Sequence, residues 1–207
     1  IPVVVLTPRG AVAGPKVAQT RMLGARVLEV RGDFDQALAA ARDLSDRGTH
    51  VLVNSVNPYR RAGQKTAVFE IVEELGGAPD AFVIPYGGGG NTSAYADGLR
   101  ELGLQTPMFS VEAEHRPTTL ASAIRIGDPV HAESVTRSGS NVVTVSDEEI
   151  VEAWLELARV EGLFCEPSSA AGLAAIRRGA VPGARVAVTV TGHGLKDTEN
   201  ADRYAPP

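Results

Sequence analysis

Five consecutive apolar residues, Ala81 to Pro85, lead through Tyr86 into Gly87-Gly88-Gly89-Gly90-Asn91, and from about Thr92 to Leu102 the sequence turns helix-like. A short run with no polar face reads as a strand buried from both sides, as in a parallel sheet covered by helices. The rest of the chain repeats that alternation. Strand-like runs at residues 2–6, 26–30, 51–54, 108–111, 141–145 and 186–190 are separated by helix-like ones at 16–23, 33–45, 63–75, 146–161 and 168–178. Asp33 is placed to cap one helix, whose apolar face is Ala37, Leu38, Ala41 and Leu44, and Ser146 with Glu148 and Glu149 is a second helix start. Residues 112–140 are turn-rich, and the tail from Asp197 carries little periodic signal. The expected fold is α/β: an open, mostly parallel twisted sheet with helices on both faces.

A chain of 207 residues suits one large domain or two small ones. The periodicity breaks at Asn57-Pro58 and the Tyr-Arg-Arg run after it, so the expected division is 1–56, the later part of a smaller α/β domain, and 57–207, a larger one. With 20 Lys+Arg against 25 Asp+Glu the net charge is −5, which argues against broad binding to nucleic acid or to a membrane surface. No apolar run approaches the roughly 20 residues of a membrane helix, and a cytoplasmic protein is expected. The one cysteine, Cys165, excludes an internal disulfide framework and a cysteine-clustered metal site, and His50, His115, His131 and His193 have no ligand spacing, so no metal is expected. The sequence opens at Ile1 in strand-like residues, which reads as a cut end; a terminal first strand is the alternative.

Glycines without side chains let backbone N–H groups approach an anion, and the helix N-terminus behind them adds a favourable dipole, so Gly87, Gly88, Gly89, Gly90 and Asn91 read as a phosphate cradle. A plain flexible turn is the alternative. The run lacks the Gly-Lys-Ser/Thr ending of a nucleotide-hydrolysing loop and fails the dinucleotide fingerprint. Thr191-Gly192-His193-Gly194 follows another strand, so it belongs at a sheet's carboxyl edge, where open α/β sheets place ligands. Asn54 to Arg61 gathers neutral donors and two guanidinium groups, suited to phosphate or carboxylate or simply to a solvated loop. Cys165, between Phe164 and Glu166, reads as a small buried hydrophobe, and Glu112 and Glu114 form no evident acid/base pair.

Gly14 to Gln19, Val53 to Pro58, Gly63 to Thr66, Gly87 to Asn91, Ala123 to Gly127, Phe164 to Ala171 and Thr191-Gly-His-Gly-Leu-Lys-Asp197 resemble, in order, stretches of the threonine synthases, fold-type II pyridoxal 5′-phosphate (PLP) enzymes with a tryptophan synthase β-like fold. The resemblance implies that Gly87, Gly88, Gly89, Gly90 and Asn91 hold the PLP phosphate, and that Thr191 faces the pyridine nitrogen with a neutral hydroxyl. It implies that Asn54, Ser55 and Arg60 lie near the phosphate of O-phosphohomoserine, which water converts to threonine and phosphate. It also implies a homodimer. Two departures matter. The family's glycine loop usually reads Gly-Asn-Ala-Gly-Asn, so Gly88 replaces a side-chain amide, as in the related dehydratases. The Schiff-base lysine is expected upstream of Ile1, because none of Lys16, Lys65 and Lys196 matches its motif. A catalytic residue is therefore assigned to none of these positions, and activity of this chain alone is not expected. A threonine/serine dehydratase-like PLP lyase and a non-catalytic PLP- or phosphate-binding fragment are the competing readings.

Overall fold

The computed structural model describes residues 1–10, 12 and 14–205; Ala11, Ala13 and the last two residues of the tail lie outside the described residues. The chain divides into two units, Asn54–Gly194 and Ile1–Val53 with the residues from Leu195 on. The division expected from sequence lies three residues later and keeps the tail with the larger part.

The larger unit is organised around strand β3 (Ala81–Pro85), every residue of which is buried. It lies between β4 (Met108–Ala113) and β6 (Val186–Val188), and β5 (Asn141–Val145) flanks β4, giving a four-stranded sheet in the order β5-β4-β3-β6 with every pairing parallel. Successive side chains of a strand face opposite ways. Phe82 and Ile84 pack with Val68 of α4 (Thr66–Glu74) and with Tyr95, Ala96 and Leu99 of α5 (Gly90–Glu101). The Phe82 and Tyr95 rings meet edge to face, 5.8 Å between centroids. Val83 points to the other side, where α8 (Pro167–Arg177) comes so close that a Cβ on Gly172 would lie 3.2 Å from Val83 Cγ1. Against α8 lies α7 (Asp147–Val160), which buries Ile150, Ala153, Trp154 and Leu157. Helices thus cover both faces, and the parallel α/β class expected from β3's composition is the one observed.

Where expectation and structure part, the reason is local. Residues 51–54 form no strand: Val51 and Val53 are exposed, and no strand pairs with them. Asn57-Pro58, read as a break, starts helix α3 (Pro58–Gln64). The Asn57 side chain accepts from the Tyr59 N–H at 2.9 Å, and proline is favoured at the first helical position. The single helix expected over 63–75 is therefore two, α3 and α4, meeting at Lys65. Within the turn-rich stretch, α6 (Ala132–Arg137) buries Val135, and in the tail α9 (Thr198–Tyr204) forms.

In the smaller unit, β1 (Val4–Pro8) and β2 (Arg26–Val30) pair in parallel, with α1 (Gly14–Met22) between them in sequence and α2 (Phe34–Asp46) after them. Asp33 caps α2 as expected, accepting from the N–H groups of Asp35 and Gln36 while Gln36 reaches back to the Asp33 N–H.

Asp80, just before β3, ties the start of β6 through both its backbone and its carboxylate: its N–H donates to Arg185 O at 2.8 Å. Asp80 Oδ2 accepts the N–H groups of Ala184 and Arg185, each at 2.8 Å, and these bonds hold its pKa below the usual 3.8. A group whose folded pKa is depressed contributes above its unfolded value and loses that contribution as pH falls through the folded one. Hydrogen exchange of the Ala184 and Arg185 amides is therefore expected to accelerate as pH drops below about 3.8, relative to the general acid trend, and to lose that step in Asp80→Asn. An unchanged step in the variant would refute this tether.

Candidate functional site

β3 and β6 run in the same direction with Val83 opposite Val188, and the Thr189 N–H donates to Val83 O at 2.9 Å. The loops after them, Gly87–Gly90 and Thr191–Gly194, therefore leave neighbouring strands at one carboxyl edge of one sheet. Neighbouring strands are about 4.8 Å apart.

In the glycine loop the carbonyls are occupied and the N–H groups are not. Arg116 Nη2 donates to Tyr86 O at 2.9 Å and to Gly87 O at 3.2 Å, the His131 N–H to Gly88 O at 3.0 Å, and the Ser93 N–H to Gly89 O at 3.0 Å. No acceptor among the described residues takes the N–H of Gly87, Gly88, Gly89 or Gly90, and no side chain caps α5, which starts at Gly90. Gly89 has φ +84°, and a Cβ there would lie 2.8 Å from Val135 Cγ2 and 3.1 Å from His131 Cβ. Unpaired donors at an uncapped helix N-terminus suit an anion. Beside them, Asn91 Oδ1 accepts from Gln64 Nε2 at 2.8 Å, and the Asn91 amide nitrogen has no acceptor among the described residues and is available as a further donor.

Of the other expected residues, Ser55 is brought to the glycine loop: its Cβ would lie 3.5 Å from a Cβ on Gly90, and its carbonyl is 3.0 Å from His131 Nε2. A carbonyl only accepts, so that bond puts the imidazole proton on Nε2. Asn54 spends its side-chain oxygen on its own turn, accepting from the Val56 N–H at 3.1 Å. Arg60 is exposed on α3, whereas its neighbour Arg61 pairs with Asp97 of α5.

Thr191 is exposed, and its hydroxyl lies 3.0 Å from Ser169 Oγ. Ser169, fully buried on α8, accepts the N–H groups of Thr191 at 3.1 Å and Gly192 at 2.8 Å. A serine oxygen has two acceptor positions, so its own proton goes outward, and the Thr191 oxygen is nearer than Gly192 O at 3.4 Å. Thr191 then accepts from Ser169 and keeps its proton for a ligand atom with a lone pair, such as an unprotonated ring nitrogen. Gly192 is required here, because a Cβ would come within 2.0 Å of Glu166 Oε1.

Arg116 and His131 carry no sequence signal that marks them as parts of this edge; Gln64 and Ser169 lie in stretches that carry the resemblance, but nothing in those stretches gives them a role at this edge. Cys165, 3% exposed, is a buried thiol whose pKa burial pushes up to about 11, leaving it protonated and unsuited to nucleophilic work at neutral pH. Lys65 pairs with Glu101, the last residue of α5, about 16 Å along that helix from its glycine start. Among the described residues no three His, Cys, Asp or Glu side chains converge to hold a metal ion, and no helix is long and apolar enough to cross a membrane.

The edge thus offers a bed of N–H donors on one strand's loop and a neutral hydroxyl on the next. That pair fits a small ring bearing a phosphate at one end and a nitrogen at the other. Over 223 residues the chain is 42% identical to a threonine synthase of Halalkalibacterium halodurans, covering 96% of this chain and 63% of that relative, so it spans less than two-thirds of the relative's length. Its fold resembles maize serine racemase (TM-score 0.83, 20% identity, covering 98% of this chain and 69% of the other). It also resembles threonine synthase from Escherichia coli (TM-score 0.79, 22% identity, 98% and 56%). Residues 1–192 match the family described as pyridoxal-phosphate dependent enzyme, and the chain belongs to that family.

Proposed function

We propose that this chain is the C-terminal portion of a threonine synthase, which converts O-phosphohomoserine and water to threonine and phosphate. The observation that carries the reading is the pairing, at one sheet edge, of acceptorless glycine N–H groups with a threonine hydroxyl, in a chain 42% identical to a named threonine synthase. In this reading the N–H groups of Gly87 to Gly90 and the Asn91 side chain hold the cofactor phosphate, and Thr191 donates to the pyridine nitrogen. Bound pyridoxal phosphate would supply an electron sink for carbanion chemistry on the amino-acid substrate. A hydroxyl donor, unlike a carboxylate, does not hold a proton on that nitrogen, so it leaves the ring a weaker sink. Ser55, beside Gly90, and Asn54 and Arg60 are assigned to the substrate's phosphate. The lysine that carries the cofactor is assigned to sequence before Ile1, and the assembly to a homodimer, which light scattering tests.

A dehydratase-like lyase is the second reading, favoured by Gly88 and by the left-handed turn at Gly89. Product analysis on the full-length protein that contains this chain separates the two. Threonine and inorganic phosphate from O-phosphohomoserine are expected. Ammonia and a keto acid from threonine, with no phosphate release, would replace the first reading by the second. A protein that binds the cofactor and turns over neither substrate would leave the non-catalytic reading.

A further inference from the structure

We infer that Arg116 is a positioning residue for the phosphate site: it sets the direction of the glycine loop's N–H groups without touching the ligand. The inference rests on the assignment of Gly87–Gly90 to a phosphate, made above. In a trans peptide the C=O of one residue and the N–H of the next point to opposite sides of one plane. The Tyr86 and Gly87 carbonyls are both drawn to Arg116 Nη2, so the N–H groups of Gly87 and Gly88 face away from it. His131 and Ser93 do the same for the planes that carry the Gly89 and Gly90 N–H groups. The three anchoring residues differ in kind: His131 uses a backbone N–H beside α6, Ser93 uses its N–H on α5 and adds its hydroxyl, which donates to Gly89 O at 2.9 Å, whereas Arg116 acts through a long side chain alone.

That side chain is itself held from several directions. Arg116 is 13% exposed, and its Nε lies 3.0 Å from Glu112 Oε2 at an angle too bent for a hydrogen bond. Its Cζ lies 4.5 Å from the centroid of the Tyr86 ring, and Nη1 donates to Ile126 O at 3.2 Å. A planar guanidinium can serve two carbonyls, a third carbonyl and a carboxylate together; an ammonium, a single point of charge, cannot match that fork. Glycine planes have no side chains to fix them, so a loop of four depends on such outside contacts to be ordered before a ligand arrives.

The test uses the chain with pyridoxine 5′-phosphate, which has the ring and phosphate but no aldehyde, and with pyridoxine, which lacks the phosphate. Amide ¹H–¹⁵N shifts are followed in the parent, Arg116→Lys and Arg116→Met, with thermal melting to confirm folding. In the parent, the phosphate ligand is expected to shift the Gly87–Gly90 amides downfield, and pyridoxine is expected to leave them in place. In both variants those shifts should shrink, and the Kd for pyridoxine 5′-phosphate should rise about tenfold, with lysine milder than methionine. Glycine shifts and Kd unchanged in folded variants would overturn the role of Arg116 and leave the phosphate site standing. No glycine shift in the parent would overturn both.

Discussion

Gly89→Ala is expected to weaken binding of pyridoxine 5′-phosphate about a hundredfold, the equivalent of about 3 kcal/mol. Two separate costs add. Gly89 holds φ +84°, a left-handed conformation that costs a residue with a Cβ roughly 1–2 kcal/mol. The added methyl would also stand 2.8 Å from Val135 Cγ2, 3.1 Å from His131 Cβ and 3.2 Å from the Tyr86 ring. Val135 is 1% exposed and His131 is 8% exposed with its ring bonded to Ser55 O, so neither can step back. Relief comes only by turning the Gly88–Gly89–Gly90 peptide planes, and those planes aim the donors. Gly88→Asn is the control in the same titration. Its Cβ would meet nothing closer than Ile126 Cδ1 at 3.7 Å, and its φ lies outside the left-handed region. With neither backbone strain nor a Cβ clash, its effect should stay within about 0.5 kcal/mol. Equal Kd values for Gly89→Ala and the parent would show that the left-handed turn does not shape the site.

The contrast matters for the choice between synthase and dehydratase. The Gly-Asn-Ala-Gly-Asn loop that this chain otherwise resembles puts an amide at 88 and a methyl at 89. The structure has room for a Cβ at 88 and none for one at 89. A chain carrying both replacements should bind as poorly as Gly89→Ala alone, which would place this loop's geometry with the glycine-only form.

What can be read from sequence here is what nearest neighbours decide. The continuous apolar run of β3 and the caps at Asp33 and Ser146 are each set within a few residues, and each forms as expected. Asn57-Pro58 is just as local and still misleads, because the same pair starts a helix or ends one depending on the residues around it. The parts of the sheet edge that sequence does not show are contacts to backbone carbonyls or N–H groups far along the chain. Arg116 reaches back 30 residues to Tyr86, and Ser169 reaches forward 22 to Thr191. Pro167-Ser168-Ser169 has the composition of any helix start, and Arg116 sits in a stretch without periodicity. Only the packing of α8 and of the loop after β4 against β3 gives those residues their work.

Ser169→Ala should do more damage to the fold than its single missing atom suggests. Its oxygen is the acceptor for two successive N–H groups, at 3.1 and 2.8 Å; Ser169 is fully buried and Gly192 is buried beside it, while Thr191 is exposed. The buried Gly192 donor, once stranded, costs about 1–3 kcal/mol and the Thr191 donor, open to water, adds less, so a loss of about 2 kcal/mol is expected, read as a lower urea midpoint at unchanged slope. Thr191→Val removes the neighbouring hydroxyl but leaves both N–H bonds to Ser169 in place. Thr191 is exposed, and Gly192 O at 3.4 Å remains to take the Ser169 proton, so its stability should stay within about 0.5 kcal/mol of the parent. Binding of the ring should fall in both variants, since Thr191→Val lacks the donor and Ser169→Ala leaves that donor unaimed. The two losses therefore separate only in the unfolding curves. Should Ser169→Ala unfold at the same urea concentration as Thr191→Val, the Thr191–Gly194 loop is held by something other than Ser169, and the aimed hydroxyl loses its basis.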